Sequence, residues 1–353
     1  MEFLQINKIK GMRFPMKSYL SKLSFELGRN PVVEKIKNWE EFVPKPYKAV
    51  LLISADFELA WAFRFTKTEK NPVENALKKA RLARKNIPGI LSLSDKYNIP
   101  ITWATVGHLF LDNCSRNGAL AHAHIKRLPY FESPYWKYDT GDWFDADPCS
   151  NLAQAPEWYA PDLIQSIKNA KAEHEIGCHT FSHIDCREKV CSQEVFESEL
   201  NECRKLASQN GVDLKSFVFP GHTLGNIAHL KGLGFSSYRS NYINTLGHPV
   251  RRDDGLWEHK STVEFDIRPN WSMEYHIYRY KKIIDRAIKN HTSCHFWFHP
   301  SFSNQFLNDV MPEVFKYLDK KRDEIWITTM QEYTNWLNQN ISKNKYLAIM
   351  NRN

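Results

Sequence analysis

Short apolar runs alternate with longer amphipathic stretches through most of this 353-residue chain, beginning near Lys48. Each run has the length of a buried strand, and the stretches between them have the apolar spacing of helices. The predicted strands are 49–55, 101–106, 175–178, 216–219, 235–239, 262–266, 294–298 and 325–328, and the predicted helices are 75–96, 161–173, 193–208, 275–290 and 309–322. This alternation is typical of a parallel α/β fold, and seven or eight successive units predict a barrel.

Interruptions of this alternation indicate how the chain is divided. Residues 1–47 are predicted to form an N-terminal helical extension that ends at Pro44-Lys45-Pro46, residues 48–341 the barrel, and residues 342–353 a C-terminal tail. The segment at about 112–156 is too long for a simple connector and is rich in aromatic residues and aspartates. It is either a substrate-binding loop, with Trp143 and Asp147 as candidate substrate contacts, or a capping loop with a small core of its own.

Charge and cysteine content limit the classes of partner and compartment. The formal net charge of +8 favours anionic partners such as nucleotide-linked or lipid-linked sugars, but no run of like charges predicts a nucleic-acid interface. Seven cysteines without paired C-x-x-C spacing argue against a disulfide framework. The chain shows neither a secretory signal nor a transmembrane segment, so we expect a cytoplasmic protein. The oligomeric state stays open.

Two histidines four residues apart follow a predicted strand. The sequence from Glu175 runs through an apolar strand to His179-Thr180-Phe181-Ser182-His183. In a helical turn this spacing would aim both imidazoles in one direction, as a divalent cation requires. The same spacing also arises by chance, but residues just beyond a barrel strand lie where active sites form. We therefore expect a metal site here.

Acidic residues at the end of the first strand could complete that site. Extended geometry would place Asp56 and Glu58 on the same side of the chain. Two buried carboxylates need compensating positive charge, which a divalent cation supplies. A helix cap or a salt bridge is the alternative role for this pair.

Three further strand ends carry polar or conformationally special residues. His299 follows an apolar strand and could act as a general acid, although a structural role is more common for a single histidine. Gly221, after Pro220, allows a ligand to approach its backbone N–H as an oxyanion donor would, although an ordinary turn explains it too. His222 and Arg239 are candidate substrate contacts at the ends of adjacent strands.

This order of motifs resembles the polysaccharide deacetylase superfamily, carbohydrate esterase family four, over about residues 48–300. The most specific piece is His179 to His183, which resembles that family's metal-binding motif. The resemblance implies a distorted (β/α)7–8 barrel, Glu58, His179 and His183 as ligands of one divalent metal ion, and Asp56 as the catalytic base. It also implies His299 as the general acid and Gly221 as the oxyanion donor. Zinc is the cation that such ligands favour.

One departure from the family bears on the reaction. The family's arginine that pairs with the catalytic aspartate is replaced by Val218, and we expect Arg239 at the end of the next strand to take its place. Asp266 is a candidate for the fourth motif. The resemblance implies removal of an N-acyl group, most often acetyl, from an amino sugar or glycan precursor. Hydrolysis of another amide (a formamide, a cyclic amide or a ureide) and a non-catalytic carbohydrate-binding barrel are the alternatives.

Overall fold

The computed structural model describes residues 15–242 and 244–350; the predicted extension and tail therefore lie partly outside the described residues, at 1–14 and 351–353. The main-sheet strands are β1 Ala49–Phe57, β2 Thr102–Thr105, β3 Glu175–Cys178, β4 Ser216–Val218, β5 Ser237–Tyr242, β6 Val250–Arg251, β7 Trp257–Ser261, β8 Val263–Glu264, β9 Ser293–Phe298 and β10 Ile325–Thr328. The helices are α1 Pro15–Glu26, α2 Pro72–Tyr97, α3 Pro161–Asn169, α4 Gln193–Gln209, α5 Ile227–Leu230, α6 Met273–Lys289, α7 Met311–Lys320, α8 Met330–Asn340 and α9 Lys343–Met350.

These strands form one ten-stranded sheet in the order β6-β7-β5-β4-β3-β2-β1-β9-β8, with β10 paired to the first half of β1. Every pairing in it is parallel except that between β6 and β7. The sheet curls into a half-barrel, which confirms the predicted α/β class and distorted barrel. Because the strands are parallel, the carboxyl ends of β1, β3, β4, β5 and β9 meet at one edge.

The central strand β1 shows how the sequence divides the two faces of the sheet. All nine residues of β1 are buried. Leu51 and Ile53 belong to the large core between the sheet and its outer helices, whereas Val50 and Leu52 pack in a second core with α8 and α9. Side chains alternate along a strand, so Ser54 and Asp56 continue the second face. That face is apolar at its base and polar at the edge where the carboxyl ends meet.

The sequence prediction missed two main-sheet strands, β6 and β7, and the helices α5, α8 and α9. In strand β7 the buried residues Trp257, His259 and Ser261 alternate with half-buried ones. Because two of the three buried residues are polar, the strand does not stand out in the sequence as an apolar run. Helix α9 lies in the predicted tail and contributes Tyr346 and Ile349 to the second core. The predicted helix 161–173 ends at Asn169.

The segment at 112–156 is built from two small hairpins, 116–121 and 131–138. Phe131, Tyr138, Trp143 and Phe144 are buried in it and join the main core. It therefore has the packed interior of a capping loop, while residues 133–136 reach the cavity described below. No described helix combines the length and the hydrophobicity needed to cross a lipid bilayer.

Candidate metal and active site

Three predicted metal ligands converge at the edge of the sheet. Glu58 Oε2 lies 3.1 Å from His179 Nε2 and 3.0 Å from His183 Nε2. All three side chains are buried, with at most 5% of any side chain exposed. Glu58 follows β1 and His179 follows β3, so two strand ends that are distant in sequence bring the three ligands together.

The loop that carries the two histidines is not the helical turn that the spacing predicted. Thr180 and His183 both have φ 58°, a left-handed conformation that non-glycine residues seldom adopt. Ser182 fixes the loop because Glu199 accepts hydrogen bonds from its backbone N–H (2.8 Å) and its hydroxyl (2.6 Å). The indole Nε1 of Trp143 donates to Ser182 Oγ at 2.9 Å. Tertiary contacts rather than helical spacing therefore aim the imidazoles at Glu58.

The chemistry of these three side chains fits a divalent cation. His179 Nδ1 lies 2.8 Å from the Val218 carbonyl oxygen, which can only accept, so Nδ1 carries a proton and Nε2 is the ring atom that faces Glu58. Glu58 Oε1 is buried without a hydrogen bond, although His299 Nε2 lies 3.3 Å away. Burial opposes ionisation, yet the charges of His299 and His183 hold the pKa of Glu58 well below its usual value. A divalent cation bound between these side chains would give Glu58 Oε1, which accepts no hydrogen bond, a positive partner.

Asp56 is held apart from the ligands by a buried ion pair. Arg239 Nη1 lies 2.7 Å from Asp56 Oδ1, and Nη2 lies 2.7 Å from Oδ2. Arg239 Nη1 also donates to Ser54 Oγ at 2.8 Å, and its guanidinium lies 5.2 Å from the centre of the Trp297 ring. Burial would raise the pKa of Asp56, but the charge of Arg239 and the two hydrogen bonds lower it below its ordinary value. Asp56 is thus kept ionised.

The position of Arg239 explains how the chain does without an arginine at 218. Strands β4 and β5 pair in parallel, with Arg239 directly opposite Val218. A long side chain one strand further from β1 therefore reaches the same carboxylate. The pairing of Arg239 with Asp56 that the sequence suggested is present in the structure.

His299 and Asp266 follow two adjacent parallel strands, β9 and β8. Strands β8 and β9 pair in parallel with Glu264 opposite Trp297, and Asp266 and His299 each come two residues after this pair. The His299 side chain is 31% exposed and faces the cavity. Burial raises the pKa of Asp266 to about 6, and the charge of His299 opposes that shift.

Gly221 forms part of the wall nearest the metal ligands. Its φ is 52°, and a Cβ at this position would lie 2.4 Å from the Trp136 ring. Glycine is therefore required both by conformation and by space. The Trp136 ring also contacts the His183 ring edge-on, with centroids 5.3 Å apart, and His222 contacts Trp297 at 4.8 Å.

These groups open into one cavity of about 750 Å³. Asp56, Glu58, His183 and His299 lie at its base. Most of its wall is aromatic or small, and the remaining lining residues are Ala62, Phe63, Ser133, Pro134, Tyr135, Trp136, Arg187, Gly221, His222, Thr223, Glu264 and Trp297. A cavity of this size accommodates a sugar-sized ligand.

Of the four residues predicted to contact substrate, His222 lines this cavity, whereas Trp143, Asp147 and Arg239 do not. Trp143 is buried behind the loop that carries the metal ligands, and Asp147 is buried in a separate cluster with His108 and His122. Their neighbour Trp136, from the same aromatic segment, lines the cavity instead. Sequence analysis also missed Arg187, and its place four residues after His183 was the only signal available.

Part of this chain matches a model of a known protein family. The family model described as "Polysaccharide deacetylase" matches residues 78–230. The matched range contains His179, His183 and Gly221, and it begins after Asp56 and Glu58. A search of curated proteins finds no match.

Solved structures share the fold at low sequence identity. A protein assigned as a polysaccharide deacetylase from Mycobacterium smegmatis is 14% identical, with a TM-score of 0.54 over 84% of this chain and 93% of that one. Another so assigned, from Pseudomonas aeruginosa PAO1, is 12% identical, with a TM-score of 0.57 over 85% and 94%. Puue allantoinase is 12% identical, with a TM-score of 0.56 over 84% and 92%. At these identities the likeness extends to the fold.

Proposed function

We propose that this chain, part of which matches the polysaccharide deacetylase family model, is a metal-dependent hydrolase that removes an N-acyl group, acetyl by preference, from an amino sugar or a glycan precursor. One observation carries the proposal. An ionised aspartate, Asp56, is fixed by Arg239 beside three convergent metal-ligand side chains at the base of an open cavity. A purely structural ion pair would not need that cavity.

The metal would be held by Glu58, His179 and His183. Two imidazoles and a carboxylate favour zinc, and three protein ligands leave a coordination position open, as catalytic sites do. When bound, the cation would supply Lewis-acid chemistry, polarising the acyl oxygen and acidifying water.

Asp56 acts as the general base in this proposal. Its two oxygens each accept one hydrogen bond from Arg239, which leaves further lone pairs on both oxygens for the proton of an attacking water. Arg239 keeps Asp56 ionised at neutral pH and fixes its orientation, so Arg239 is a positioning residue rather than a direct contact of the substrate.

His299 acts as the general acid, and Gly221 stabilises the developing negative charge. An amine is a poor leaving group until it is protonated, and the half-exposed imidazole of His299 faces the cavity across from Asp56. Asp266, which interacts electrostatically with His299, would stabilise the protonated ring. The Gly221 N–H would donate to the tetrahedral oxyanion, and a side chain at this position would collide with the Trp136 ring of the cavity wall.

Aromatic side chains form the proposed sugar-binding wall. Phe63, Tyr135, Trp136 and Trp297 line the cavity. Their flat apolar faces suit the C–H face of a sugar ring, while the polar groups are concentrated at the base. Arg187 at the same cavity, together with the net charge of +8, favours a phosphate-linked precursor. Seven unpaired cysteines favour a reducing cytoplasmic compartment.

Hydrolysis of a ureide or a cyclic amide is the second candidate. The observation that favours it is the allantoinase among the structures of similar fold, since the same base, acid and metal ligands would serve any amide. The non-catalytic alternative was motivated by Val218, and the buried pair between Arg239 and Asp56 removes that motivation.

A substrate screen tests these candidates. Zinc-loaded protein is incubated with N-acetylated amino sugars, nucleotide-linked and lipid-linked forms of them, formylated analogues and allantoin, with and without a chelator. We expect chelator-sensitive release of acetate from an amino-sugar substrate and none from Asp56→Asn, which keeps its fold and its metal. Turnover of allantoin alone would select the second candidate, and metal-loaded protein inert toward every substrate would favour a binding protein.

A further inference from the structure

A second group of metal-ligand side chains lies outside the cavity. It consists of His108, Cys114, His122 and Asp147, here called the insert cluster. The ligand atoms of the four residues all lie within 4.8 Å of one another. The side chains of His108 and Asp147 are fully buried and that of His122 is 5% exposed. None of the four lines the cavity.

Four of the six distances between ligand atoms of the insert cluster are close to those of a tetrahedral zinc site. Asp147 Oδ2 lies 2.8 Å from His122 Nε2, 3.1 Å from His108 Nε2 and 3.5 Å from Cys114 Sγ. Cys114 Sγ lies 3.8 Å from His108 Nε2. Zinc bonds of about 2.0–2.3 Å in a tetrahedron separate nitrogen and oxygen ligands by about 3.3 Å and place sulfur about 3.6 Å from either. The side chains are already close to these separations.

The hydrogen bonds around His108 leave a lone pair aimed at a carboxylate. His108 Nδ1 lies 3.1 Å from the Trp158 carbonyl oxygen, so the neutral ring carries its proton on Nδ1. Its Nε2 then faces Asp147 with two acceptors 3.1 Å apart. The same arrangement occurs at His179 and Glu58, where Nδ1 also contacts a backbone carbonyl. A positive charge between such groups, a proton or a metal cation, would stabilise the pair.

We propose that the insert cluster binds a second divalent cation, zinc by ligand type, whose role is structural. Four protein ligands fill a tetrahedral site and leave no position for substrate or water. A thiolate from Cys114 and a carboxylate from Asp147 together neutralise the two positive charges of the ion. Tyr159 supports both, because its hydroxyl lies 3.1 Å from Cys114 Sγ and 3.5 Å from Asp147 Oδ1.

This second ion would fasten the segment at 112–156 to the barrel. His108 belongs to a short turn after β2, while the other three ligands are spread through the segment. The rings of His108 and His122 pack on Phe181, with centroids 5.6 and 5.2 Å away, and Phe181 lies between the two active-site histidines in sequence. The ion would therefore connect the segment that supplies Trp136 to the loop that supplies His179 and His183.

Metal analysis distinguishes the two sites. Protein reconstituted with zinc and freed of excess is expected to hold two ions per chain, falling to one in Cys114→Ser and in Asp147→Asn. Glu58→Gln should also hold one ion, namely the ion of the insert cluster. His124→Ala is the matched control, because His124 lies in the same segment with its side chain 55% exposed, and it should retain two.

Cobalt substitution identifies the ligands without relying on a folded variant. Of the two candidate metal sites, the insert cluster is the one that contains a cysteine. A thiolate-to-cobalt charge-transfer band in wild type and in Glu58→Gln therefore reports this site. Cys114→Ser should lose the band. One zinc per chain in wild type, lost in Glu58→Gln, would overturn the proposal, and so would absence of the band from cobalt-loaded wild type. A band lost in Cys149→Ser but retained in Cys114→Ser would overturn the assignment of Cys114.

Discussion

The buried pair between Arg239 and Asp56 should make the stability effects of its two residues strongly non-additive. The Arg239 side chain is 1% exposed and that of Asp56 is 6% exposed, so water screens the pair very little. Arg239→Met keeps the apolar stem beside Trp297 but leaves the carboxylate of Asp56 without its countercharge. Asp56→Asn removes the carboxylate charge and keeps its shape. The double variant has neither charge to compensate.

The expected magnitude follows from burial and geometry. Removing one member of a buried, hydrogen-bonded pair costs about 3–5 kcal/mol, because the remaining charge is left without a partner. We therefore expect Arg239→Met to lower the free energy of unfolding by about that amount. The loss in the double variant should be smaller than the sum of the two single losses by about 2–3 kcal/mol.

Urea unfolding of the wild type, the two single variants and the double variant, in the presence of a chelator, measures this coupling without any contribution from bound metal. Lys48 and Glu324 form the matched control pair, since their side chains are 52% and 33% exposed and their coupling should not exceed about 1 kcal/mol. Losses at Arg239 and Asp56 that add to within about 0.5 kcal/mol would refute the reasoning.

Three further predictions concern the cavity wall, acid stability and the general acid. Trp136→Ala should raise KM about tenfold, which is equivalent to about 1.4 kcal/mol of substrate binding. Trp143→Leu should instead lower the free energy of unfolding by about 2–4 kcal/mol, with a smaller effect on KM. Kinetics and urea unfolding that show the reverse pattern would contradict the assignment of Trp136 to the cavity wall and of Trp143 to the core. Burial lowers the pKa of His248 to about 4 and of His259 to about 3, so both stay neutral when folded while the unfolded chain takes up protons below about pH 6.5. Each should therefore cost about 2 kcal/mol of stability at pH 5 relative to pH 7, and replacing both with glutamine should flatten the pH dependence of unfolding. His299→Ala should lower kcat by about 10²–10⁴-fold with unchanged metal content, and an unchanged kcat would remove it as the acid.

The fold was predictable where burial and polarity followed a simple period. Strand β1 reads as a continuous apolar run because both its faces are covered, and β3 and β10 were located to the residue. Strand β7 escaped because its buried positions include His259 and Ser261, which only the tertiary fold makes interior. Helices α8 and α9 follow the last predicted strand, and their local sequence does not indicate that they pack against the second face of the sheet.

The candidate site was predictable as far as parallel topology determines it. Strand ends meet at one edge, so Glu58, His179 and His183 could be brought together from sequence, and the register between β4 and β5 explains why Arg239 can replace an arginine at 218. The aromatic segment follows no such rule. Choosing Trp143 over Trp136 as a cavity residue failed because both are tryptophans seven residues apart, and only the folded hairpins decide which one is buried.

Metal-dependent turnover in wild type and in Glu58→Gln tests the central claim most directly. Chelated protein is assayed for acyl release from the best substrate of the screen before and after zinc is restored. We predict that wild type regains activity with zinc and that Glu58→Gln does not, even though it folds and keeps the ion of the insert cluster. Equal activity with and without metal, or full recovery by Glu58→Gln, would contradict a catalytic metal at Glu58, His179 and His183.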